Sequence, residues 1–407
     1  MPSIEDIAAG RVSVSDLKPI EVDDLLGRDP VPPDAQLLGR AIAGKSVMVT
    51  GAGGTIGSEL TRQILRQGPK ILVLYELSEA ALYEVETELS DLISRIATGM
   101  HKPRVVSVLG SVLEPSLLER TVRQFGVETI YHAAAYKHVP IVEANPVVGL
   151  RNNVFGTATL ADVAARCGVE RVALISTDKA VRPTNIMGAS KRLAELIFQA
   201  AAAGEPGRGT IFTMVRFGNV LDSSGSVVRR FKKQIEAGGP VTVTHPDVIR
   251  YFMSIPEAAA LVLQASSMAR GGEVFVLDMG EPVKIDELAR SMIRLMGREV
   301  ADADNPDGDI AIRYVGLRPG EKLFEELLIS DRTSDTEHAR IRRNNEGYLS
   351  TEALTQRLAA LETAMLNGSL EAIRSILAET VEGYSPGVAV QAVEEGPIWA
   401  TASRTLH

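Results

Sequence analysis

The amino-acid sequence predicts an α/β fold, in which a doubly wound parallel sheet is joined to a smaller, interleaved α/β domain. Three observations support this prediction. Short apolar strands alternate with helical patterns, a glycine-rich turn follows the first strand, and polar residues directly follow the fifth. Ligands of open parallel sheets bind beyond the carboxyl ends of the strands, so the last two observations also indicate where a site would lie.

The predicted strands are five short runs rich in β-branched residues, the first of which begins just after Lys45. In chain order they read SVMVTG, KILVLYE, RVVSVLG, TIYHAAA and RVALIST. Such runs, with helical patterns between most of them, are typical of parallel strands that are buried on both faces. The helix after the second strand shows the clearest helical period. Its apolar stripe consists of Leu82, Val85, Leu89, Leu92 and Ile96.

The remaining patterns divide the chain into an arm, two domains and a tail. Residues 1–43 are acidic and contain the proline cluster GRDPVPPD, which favours extended backbone and predicts a linker. Residues 44–218 form the predicted sheet domain, to which a later strand near 273–280 belongs. The other assigned ranges are 219–270 and 281–345 for the smaller, substrate-binding domain, and 346–407 for a helical segment and tail.

Composition and charge argue against several classes of protein. The formal net charge of −9 and a pI near 5.4 argue against nucleic acid or an anionic membrane surface as the main partner. The single cysteine, Cys167, forms no internal disulfide, and the six histidines show no metal-ligand spacing, so no metal is expected. No apolar run is long enough for a membrane span, and the first residues, MPSIEDIAAGRVSVSDLKP, lack the basic and apolar regions that are typical of a signal peptide. We expect a cytoplasmic protein that forms a homo-oligomer.

The turn after the first strand, TGAGGTIGS, is typical of a Rossmann domain. Gly51, Gly54 and Gly57 permit a tight turn and a close approach of the backbone to a pyrophosphate. The helix that follows offers its first N–H groups, around Thr55 and Ile56, to the anion. The sequence therefore predicts a dinucleotide site at this turn.

Glu76 predicts which dinucleotide binds. It ends the second strand, nineteen residues after Gly57, where a carboxylate can accept hydrogen bonds from both hydroxyls of the adenine ribose. A carboxylate at that point repels a 2′-phosphate, so the sequence favours NAD over NADP. The alternative interpretation of Glu76 is an ordinary solvated acid at the end of a strand.

Functional side chains follow the fifth strand, in the segment STDKAVRPTNIMGASKR. Thr177, Asp178 and Lys179 come first, and the next helix places Met187 and Lys191 four residues apart on one face. This is the spacing of a Tyr-x-x-x-Lys pair in which methionine replaces the tyrosine.

Together with these residues, several segments resemble a known family, the extended short-chain dehydrogenase/reductases that act as UDP-N-acetylglucosamine 4,6-dehydratases of polysaccharide and glycan biosynthesis. The segments are HAAAYKHVPIVE, RFGNVL, VTVTHPDVIRYFMSIPEA and LRPGEKLFEELL. The resemblance extends over roughly residues 16–345. It implies NAD-dependent, redox-neutral removal of water from a UDP-sugar, which gives a UDP-4-keto-6-deoxy sugar.

Two features resemble the long form of this family, in which membrane helices precede the catalytic domain. They are the methionine at position 187 and the upstream arm SDLKPIEVDDLLGRDPV. The resemblance implies that the chain is a soluble piece of a longer protein, the cytoplasmic domain of an inner-membrane protein. The alternative is a natural soluble relative.

The chemistry of dehydration suits the residues after the fifth strand. A protonated Asp178 can deliver a proton to the departing C6 hydroxyl, and a Lys179 with a lowered pKa can take the C5 proton, which is also what the family implies. The alternative is that Lys179 pairs with a diphosphate and Asp178 caps a turn.

Met187 cannot act as the base for the O4 proton because a thioether has no titratable proton. Lys191, acting through a water, and Thr177 as a relay are the expected replacements. Lys191 is also expected to hold the nicotinamide ribose. The alternative interpretation of Met187 is a packing residue of the core.

Further contacts follow from the resemblance. Ala133 and Ala134 leave room for the cofactor, and Ser111 lies where an adenine contact is expected. The implied substrate contacts are Lys137, Asn219, Arg250, Arg318 and Glu321.

Three positions depart from the family pattern. Ser111 stands where the family usually has an acid, and Asp222 and Ser224 stand where it commonly has glycine and arginine. The missing arginine leaves open how the diphosphate is bound, or which sugar is used.

Two other functions compete with dehydration. A UDP-sugar 4-epimerase would normally need the tyrosine and has no special need for the acid and lysine pair. A non-catalytic protein that binds NAD and UDP-sugar would explain the methionine, but it has no reason to keep Asp178 and Lys179.

Overall fold

The computed structural model describes residues 32–96, 102–203, 209–327 and 333–386. Most of the predicted N-terminal arm and the end of the C-terminal tail, residues 1–31 and 387–407, lie outside this part of the chain. The central feature is a nine-stranded sheet, which is covered by helices on both faces.

The strands of this sheet are β1 Ser46–Thr50, β2 Ile71–Glu76, β3 Arg104–Leu109, β4 Thr129–His132, β5 Arg171–Ile175, β6 Ile211–Arg216, β11 Val274–Leu277, β15 Thr333–Asp335 and β16 Ile341–Asn344. Their order across the sheet is β15-β16-β11-β6-β5-β4-β1-β2-β3. The strands from β11 to β3 are parallel, and β16 pairs antiparallel with both β11 and β15.

The helices of the chain are α1 Ala35–Gly39, α2 Thr55–Arg66, α3 Glu79–Ile96, α4 Pro115–Phe125, α5 Val139–Ala144, α6 Pro146–Leu150, α7 Gly156–Cys167, α8 Ile186–Ala202, α9 Val227–Glu236, α10 Ile255–Met268, α11 Ile285–Leu295, α12 Thr351–Leu366 and α13 Leu370–Thr380. A π-helical turn, Arg151–Phe155, lies between α6 and α7.

The central strands are buried on both faces, as their continuous apolar runs predict. Val49 of β1 lies opposite Leu74 of β2 and Tyr131 of β4, and all three side chains are buried. One apolar layer packs α4, α7 and α8 on one face, and a second packs α2, α3 and α10 on the other. The predicted α/β class with a doubly wound, mostly parallel sheet is confirmed.

The helical stripe predicted after β2 lies on α3. Leu82, Val85 and Leu89 are buried in the layer that also contains α2, and Leu92 is half-buried. The side chain of Ile96 lies outside the described residues. The stripe therefore packs the helix on the sheet, as its period of three and four residues predicts.

A smaller unit lies beside the carboxyl ends of the strands. It contains a three-stranded sheet of β8 Val241–Val243, β13 Val300–Ala301 and β14 Ile310–Tyr314. Two short strand pairs accompany this sheet. In the first, β7 Asn219–Val220 pairs with β10 Phe252–Met253, and in the second, β9 Ile249–Arg250 pairs with β12 Val283–Lys284. Helices α9 and α11 share an apolar cluster with this sheet. Residues 333–344 extend the large sheet through β16, rather than the smaller domain to which the sequence pattern assigns them, because β16 pairs with β11.

A buried ion network fixes α8 against the sheet. Glu195 of α8 binds Arg216 of β6 through two hydrogen bonds of 2.8 and 2.6 Å. Glu346 binds both Arg216 and Arg192, and Ser176 donates to Glu195 over 2.6 Å. Burial alone would raise the pKa of Glu195, but the two arginines lower it to about 2. Because all four ionic side chains are buried, we infer that the network sets the position of α8.

Within the described part of the chain, no helix combines the length and apolar character that a membrane span requires. The same residues contain no group of histidine, cysteine and acidic side chains arranged to hold a metal ion.

Candidate active site

One cleft brings together most of the residues predicted to bind the cofactor. It has a volume of about 260 Å³ and opens at the carboxyl ends of β1, β2, β3 and β4. The predicted residues that line it are Gly51, Gly54, Glu76, Ser111, Ala133 and Ala134. Strand order 3-2-1-4 places the ends of these strands side by side, although they are far apart in sequence.

The glycine turn is shaped by close backbone contacts. Gly51 has φ +68°, and a Cβ atom there would lie 2.7 Å from the backbone N of Ala134. A Cβ atom on Gly57 would lie 1.9 Å from the carbonyl O of Gly51. Both glycines are therefore required for the turn to fold back against α2.

We expect Gly51→Ala to lower the free energy of unfolding by about 2–3 kcal/mol, because it combines an unfavourable φ with a clash against backbone atoms. Gly68→Ala is the matched control, since Gly68 has the same φ of +68° but a Cβ atom there would meet no other atom within 4 Å. Urea unfolding measures both variants. Equal losses would show that the contact with Ala134 contributes nothing.

Thr55 and Ile56 occupy the first turn of α2. The N-cap residue, Gly54, has no side chain to accept hydrogen bonds from the first N–H groups of this helix. Such N–H groups, together with the helix dipole, attract an anion. The hydroxyl of Thr55 accepts a hydrogen bond of 3.3 Å from the backbone N–H of Ser224, so the turn also contacts the loop after β7.

Glu76 is held in one orientation by backbone N–H groups. Its Oε2 accepts from Gly53 over 2.9 Å, and its Oε1 accepts from Leu77 and Ser78 over 2.8 and 3.0 Å. These bonds use part of the acceptor capacity of the carboxylate and fix it at the wall of the cleft. Glu76 is therefore an ordered part of the cleft rather than a freely solvated acid.

Asp178 and Lys179 form an ion pair just beyond β5. The Nζ of Lys179 donates to Oδ1 of Asp178 over 2.9 Å, and the hydroxyl of Thr177 donates to the same oxygen over 2.9 Å. Asp178 is 0% exposed, and its Oδ2 has no hydrogen-bond partner within the described chain. A buried carboxylate oxygen without a partner is costly, which indicates that a group outside this chain binds there.

The expected lowering of the Lys179 pKa is wrong for this arrangement. Burial acts to lower the pKa of the ammonium group, but the charges of Asp178 and Glu325 outweigh burial and raise that pKa above its ordinary value. Lys179 also donates to Oδ1 of Asn219 over 3.3 Å. The raised pKa therefore keeps the ammonium group of Lys179 charged in this state of the site.

Lys191 differs from Lys179 because, among the described residues, no acidic side chain is in hydrogen-bond contact with it. Its Nζ donates to the carbonyl O of Ile175 over 2.7 Å, which places it under the end of β5. Burial lowers the pKa of Lys191 to about 8, and the more distant charge of Glu195 opposes this only in part. Lys191 is thus the lysine of this site whose pKa lies close to neutrality.

Met187 is 3% exposed and belongs to the apolar layer beneath the sheet. It lies in the first turn of α8, whose N-cap, Asn185, accepts from the N–H of Gly188 over 2.8 Å. A Cβ atom on Gly188 would lie 2.2 Å from the carbonyl O of Lys179, so the first turn of α8 packs directly on the segment from Thr177 to Lys179.

The residues expected to contact substrate fall into two groups. Arg250 and Glu321 are paired over 3.3 Å, and Arg250 also donates to three backbone carbonyls, so most of its donors are already used. Arg318 is exposed, while its backbone N–H donates to Glu321 over 3.0 Å. Lys137 is exposed. Desolvation by the residues around it, followed by the positive charges of Arg229 and Lys179, lowers the pKa of its ammonium group.

Two residues near the site were not predicted from the sequence. The carboxyl group of Glu325 has a pKa raised by burial, and its Oε1 lies 3.9 Å from Nε of Arg250. The segment LRPGEKLFEELL contains Glu325, so the family resemblance could have identified it. Asn152 lines the cofactor cleft from the π-helical turn, an irregularity that often marks functional sites but that no sequence pattern predicts.

Comparison with solved structures shows which proteins share this fold. Pen from Bacillus thuringiensis aligns with a TM-score of 0.65 and 27% identity, over 78% of this chain and 99% of that chain. DesIV, a dTDP-glucose 4,6-dehydratase from Streptomyces venezuelae solved with NAD and TYD bound, aligns with a TM-score of 0.56 and 24% identity, over 69% of this chain and 88% of that chain. The chain therefore shares the Rossmann fold of these structures.

The chain belongs to the polysaccharide biosynthesis protein family, whose model matches residues 47–346. It is 49% identical to the capsular polysaccharide biosynthesis protein CapD of Staphylococcus aureus and 44% identical to the probable polysaccharide biosynthesis protein EpsC of Bacillus subtilis, over 81% of this chain and 52% of each relative. A UDP-glucose 4-epimerase of Rickettsia rickettsii is 30% identical over 73% of this chain and 81% of the relative. The chain spans about half the length of CapD and EpsC.

Proposed function

We propose that the protein is a lyase that catalyses NAD-dependent, redox-neutral 4,6-dehydration of a UDP-sugar, with UDP-N-acetylglucosamine as the substrate. The observation that carries this proposal is the pair formed by the buried Asp178 and the half-buried Lys179 beyond β5, joined by a hydrogen bond of 2.9 Å. Loss of water from C5 and C6 needs one group that accepts a proton and another that donates one, within reach of adjacent carbon atoms. A neighbouring acid and amine meet that need.

The cleft fits NAD. The tight glycine turn and the first turn of α2 suit a pyrophosphate, while the fixed carboxylate of Glu76 has acceptor capacity left for the ribose hydroxyls. Ala133, Ala134 and Ser111 complete the wall of the adenine side in this proposal. NAD would supply the acceptor for the hydride from C4 and return that hydride to C6, so the reaction consumes no reductant.

Lys191 takes the O4 proton in the proposed first step. Its pKa of about 8 leaves a useful fraction of neutral amine near physiological pH, and this amine can act as a base. The thioether of Met187 cannot act as a base. A water molecule between O4 and Lys191 would fill the space of the missing phenol ring, and Thr177 orients the neighbouring acid. Met187 packs the wall of this space in the proposal and has no role in proton transfer.

Asp178 and Lys179 perform the elimination. Exclusion of water by bound substrate favours the neutral form of the pair, because two separated charges are more costly in a drier site. Lys179 then removes the C5 proton, and Asp178 protonates the C6 hydroxyl, which leaves as water. Lys179 returns a proton to C5, and the proton that Lys191 took from O4 restores the acid, so the proton count balances.

The exposed side chains of Lys137 and Arg318 would bind the diphosphate and nucleotide, because neither forms an ion pair with a carboxylate of the described chain. Asn219 lies against Lys179 and would orient the sugar beside it. The paired Arg250 and Glu321 would shape the nucleotide pocket, Glu321 as an acceptor for a ribose hydroxyl.

The relative named as a UDP-glucose 4-epimerase makes 4-epimerisation the second candidate. An epimerase returns the hydride to C4 and needs no acid at C6, so it leaves the carboxyl of Asp178 without a chemical role. A third candidate, a protein that binds NAD and UDP-sugar without turnover, leaves both members of the pair without one.

Mass spectrometry of the product distinguishes the three candidates. Purified protein with catalytic NAD and UDP-N-acetylglucosamine is expected to give a product lighter by one water molecule. A product of unchanged mass that separates from the substrate on chromatography would indicate the epimerase. Unchanged substrate in the presence of bound NAD and UDP would indicate the binding protein.

The half-length match to CapD and EpsC supports a proposal about the complete protein. We propose that this chain is the cytoplasmic domain of an inner-membrane protein of polysaccharide biosynthesis and that it acts as a homo-oligomer. Size-exclusion chromatography with light scattering tests the second part, and a monomer at assay concentration would contradict it.

A further inference from the structure

The loop after β7 lies between the cofactor turn and the segment that carries Lys137. The N–H of Ser224 donates to the hydroxyl of Thr55 over 3.3 Å. On its other side, a Cβ atom on Gly225 would lie 2.3 Å from Cε1 of His138, the residue after Lys137. The loop therefore borders both the proposed NAD site and the proposed diphosphate site.

Asp222, in this loop, holds Arg229 of α9. Oδ1 of Asp222 accepts from Nε of Arg229 over 2.9 Å, and Oδ2 accepts from Nη2 over 3.5 Å. Asp222 has φ +54°, a conformation that favours glycine and that aspartate adopts more readily than most residues. The two side chains are 49% and 51% exposed, so the pair is weak as a source of stability.

Arg229 lies in the first turn of α9, three residues after the N-cap Ser226. Side chains in a helix point back towards its N-terminus, and here that direction leads to the loop. The bond to Asp222 uses Nε and one N–H of Nη2, and the other donors of the guanidinium bind no residue in the described ranges, so they can bind an anion. Arg229 is also close enough to Lys137 to lower the pKa of that lysine, after burial, which contributes most.

These contacts connect two of the three positions that depart from the family pattern, Asp222 and Ser224. Position 224, where the family commonly has arginine, is serine, and position 222, where it commonly has glycine, is aspartate. We propose that Asp222 and Arg229 together replace the missing arginine: Asp222 is a positioning residue for Arg229, and Arg229 binds the diphosphate of the UDP-sugar beside Lys137. This inference rests on the proposed function, because it names a binding residue of the same site.

Isothermal titration of the NAD-saturated protein with UDP and with UMP tests the proposal. Arg229→Ala is expected to raise the Kd for UDP about tenfold, the effect of losing one hydrogen-bonded charge contact, and to raise the Kd for UMP much less. Arg298→Ala is the matched control, since Arg298 is a half-exposed arginine that lies 3.8 Å from Asp309 in the same unit. A loss of UDP affinity no larger than that of this control would overturn the proposal.

A second set of variants tests the replacement itself. Ser224→Arg introduced into the Arg229→Ala background is expected to recover most of the lost UDP affinity, and a double variant as weak as Arg229→Ala would contradict the exchange of roles. Asp222→Asn is expected to raise KM for UDP-N-acetylglucosamine about threefold, with kcat unchanged, because the charge that orients Arg229 is lost. An unchanged KM would remove Asp222 from the proposal.

The outcomes separate this inference from the proposed function. If the unmodified protein binds UDP and turns over the sugar but Arg229→Ala matches the control, the inference alone fails. If the unmodified protein does not bind UDP, the proposed function fails and the inference fails with it.

Discussion

Asp178→Asn is expected to lower kcat for dehydration of UDP-N-acetylglucosamine by about three orders of magnitude, within the range found for loss of a general acid. The amide has nearly the same shape as the carboxyl group and keeps an acceptor for Lys179 and Thr177, so the local structure should persist. It cannot, however, protonate the leaving hydroxyl at C6. Steady-state product formation measured by chromatography gives the rate.

Deuterium exchange distinguishes the loss of the general acid from general damage to the site. In D₂O, Asp178→Asn retains Lys179 and is expected to incorporate deuterium at C5 of recovered substrate without forming product. Lys179→Met is the companion variant and is expected to do neither. Product formation by Asp178→Asn at an unchanged rate would refute the assignment of the acid.

Lys191→Met is expected to abolish turnover and to stabilise the protein at neutral pH. Activity is lost because the amine that takes the O4 proton is removed. Stability rises because a lysine whose pKa is lowered to about 8 is held charged in a buried position at pH 7. The shift corresponds to a penalty of about 3 kcal/mol, and loss of the bond to Ile175 offsets about 1 kcal/mol of the gain.

The pH dependence of this gain follows from the direction of the shift. Between about pH 8 and the ordinary lysine pKa, the unfolded chain binds the proton that the folded chain has released, so the stability of the unmodified protein rises with pH. The advantage of Lys191→Met should therefore be largest below pH 8 and shrink above it. Urea unfolding at two pH values measures this change. An advantage that does not shrink at alkaline pH would show that Lys191 is not the buried cation responsible.

The same pKa predicts the pH profile of activity. The value of kcat/KM for the unmodified protein should rise with pH through about 8, as Lys191 becomes a neutral base.

Local patterns in the sequence predicted where the glycine turn and Glu76 lie, and their role in binding NAD stays a prediction. The glycine turn and Glu76 are defined by a strand, a turn and a spacing, all within about thirty residues, and the parallel order of the sheet brings them to one cleft. The identity of the next set of residues, Thr177 to Lys179, also follows from the position of a strand end.

What the sequence could not predict depends on distant partners. The pKa of Lys179 is raised because Glu325, almost one hundred and fifty residues away, adds to the charge of Asp178. The ion network that holds α8 joins Glu195 to Glu346 through Arg216, and no periodicity links these positions. The role proposed for Arg229 likewise depends on a loop conformation, the positive φ of Asp222, that side-chain type alone does not fix.

In the proposed reaction, this site removes water from C5 and C6 of UDP-N-acetylglucosamine without a net change in the cofactor. Proton NMR of the reaction in D₂O, with catalytic NAD, tests it most directly. We expect a new C6 methyl signal that grows well beyond the amount of NAD present, with deuterium at C5. A substrate spectrum that stays unchanged although NAD and UDP both bind, or an inverted C4 with no methyl signal, would contradict it.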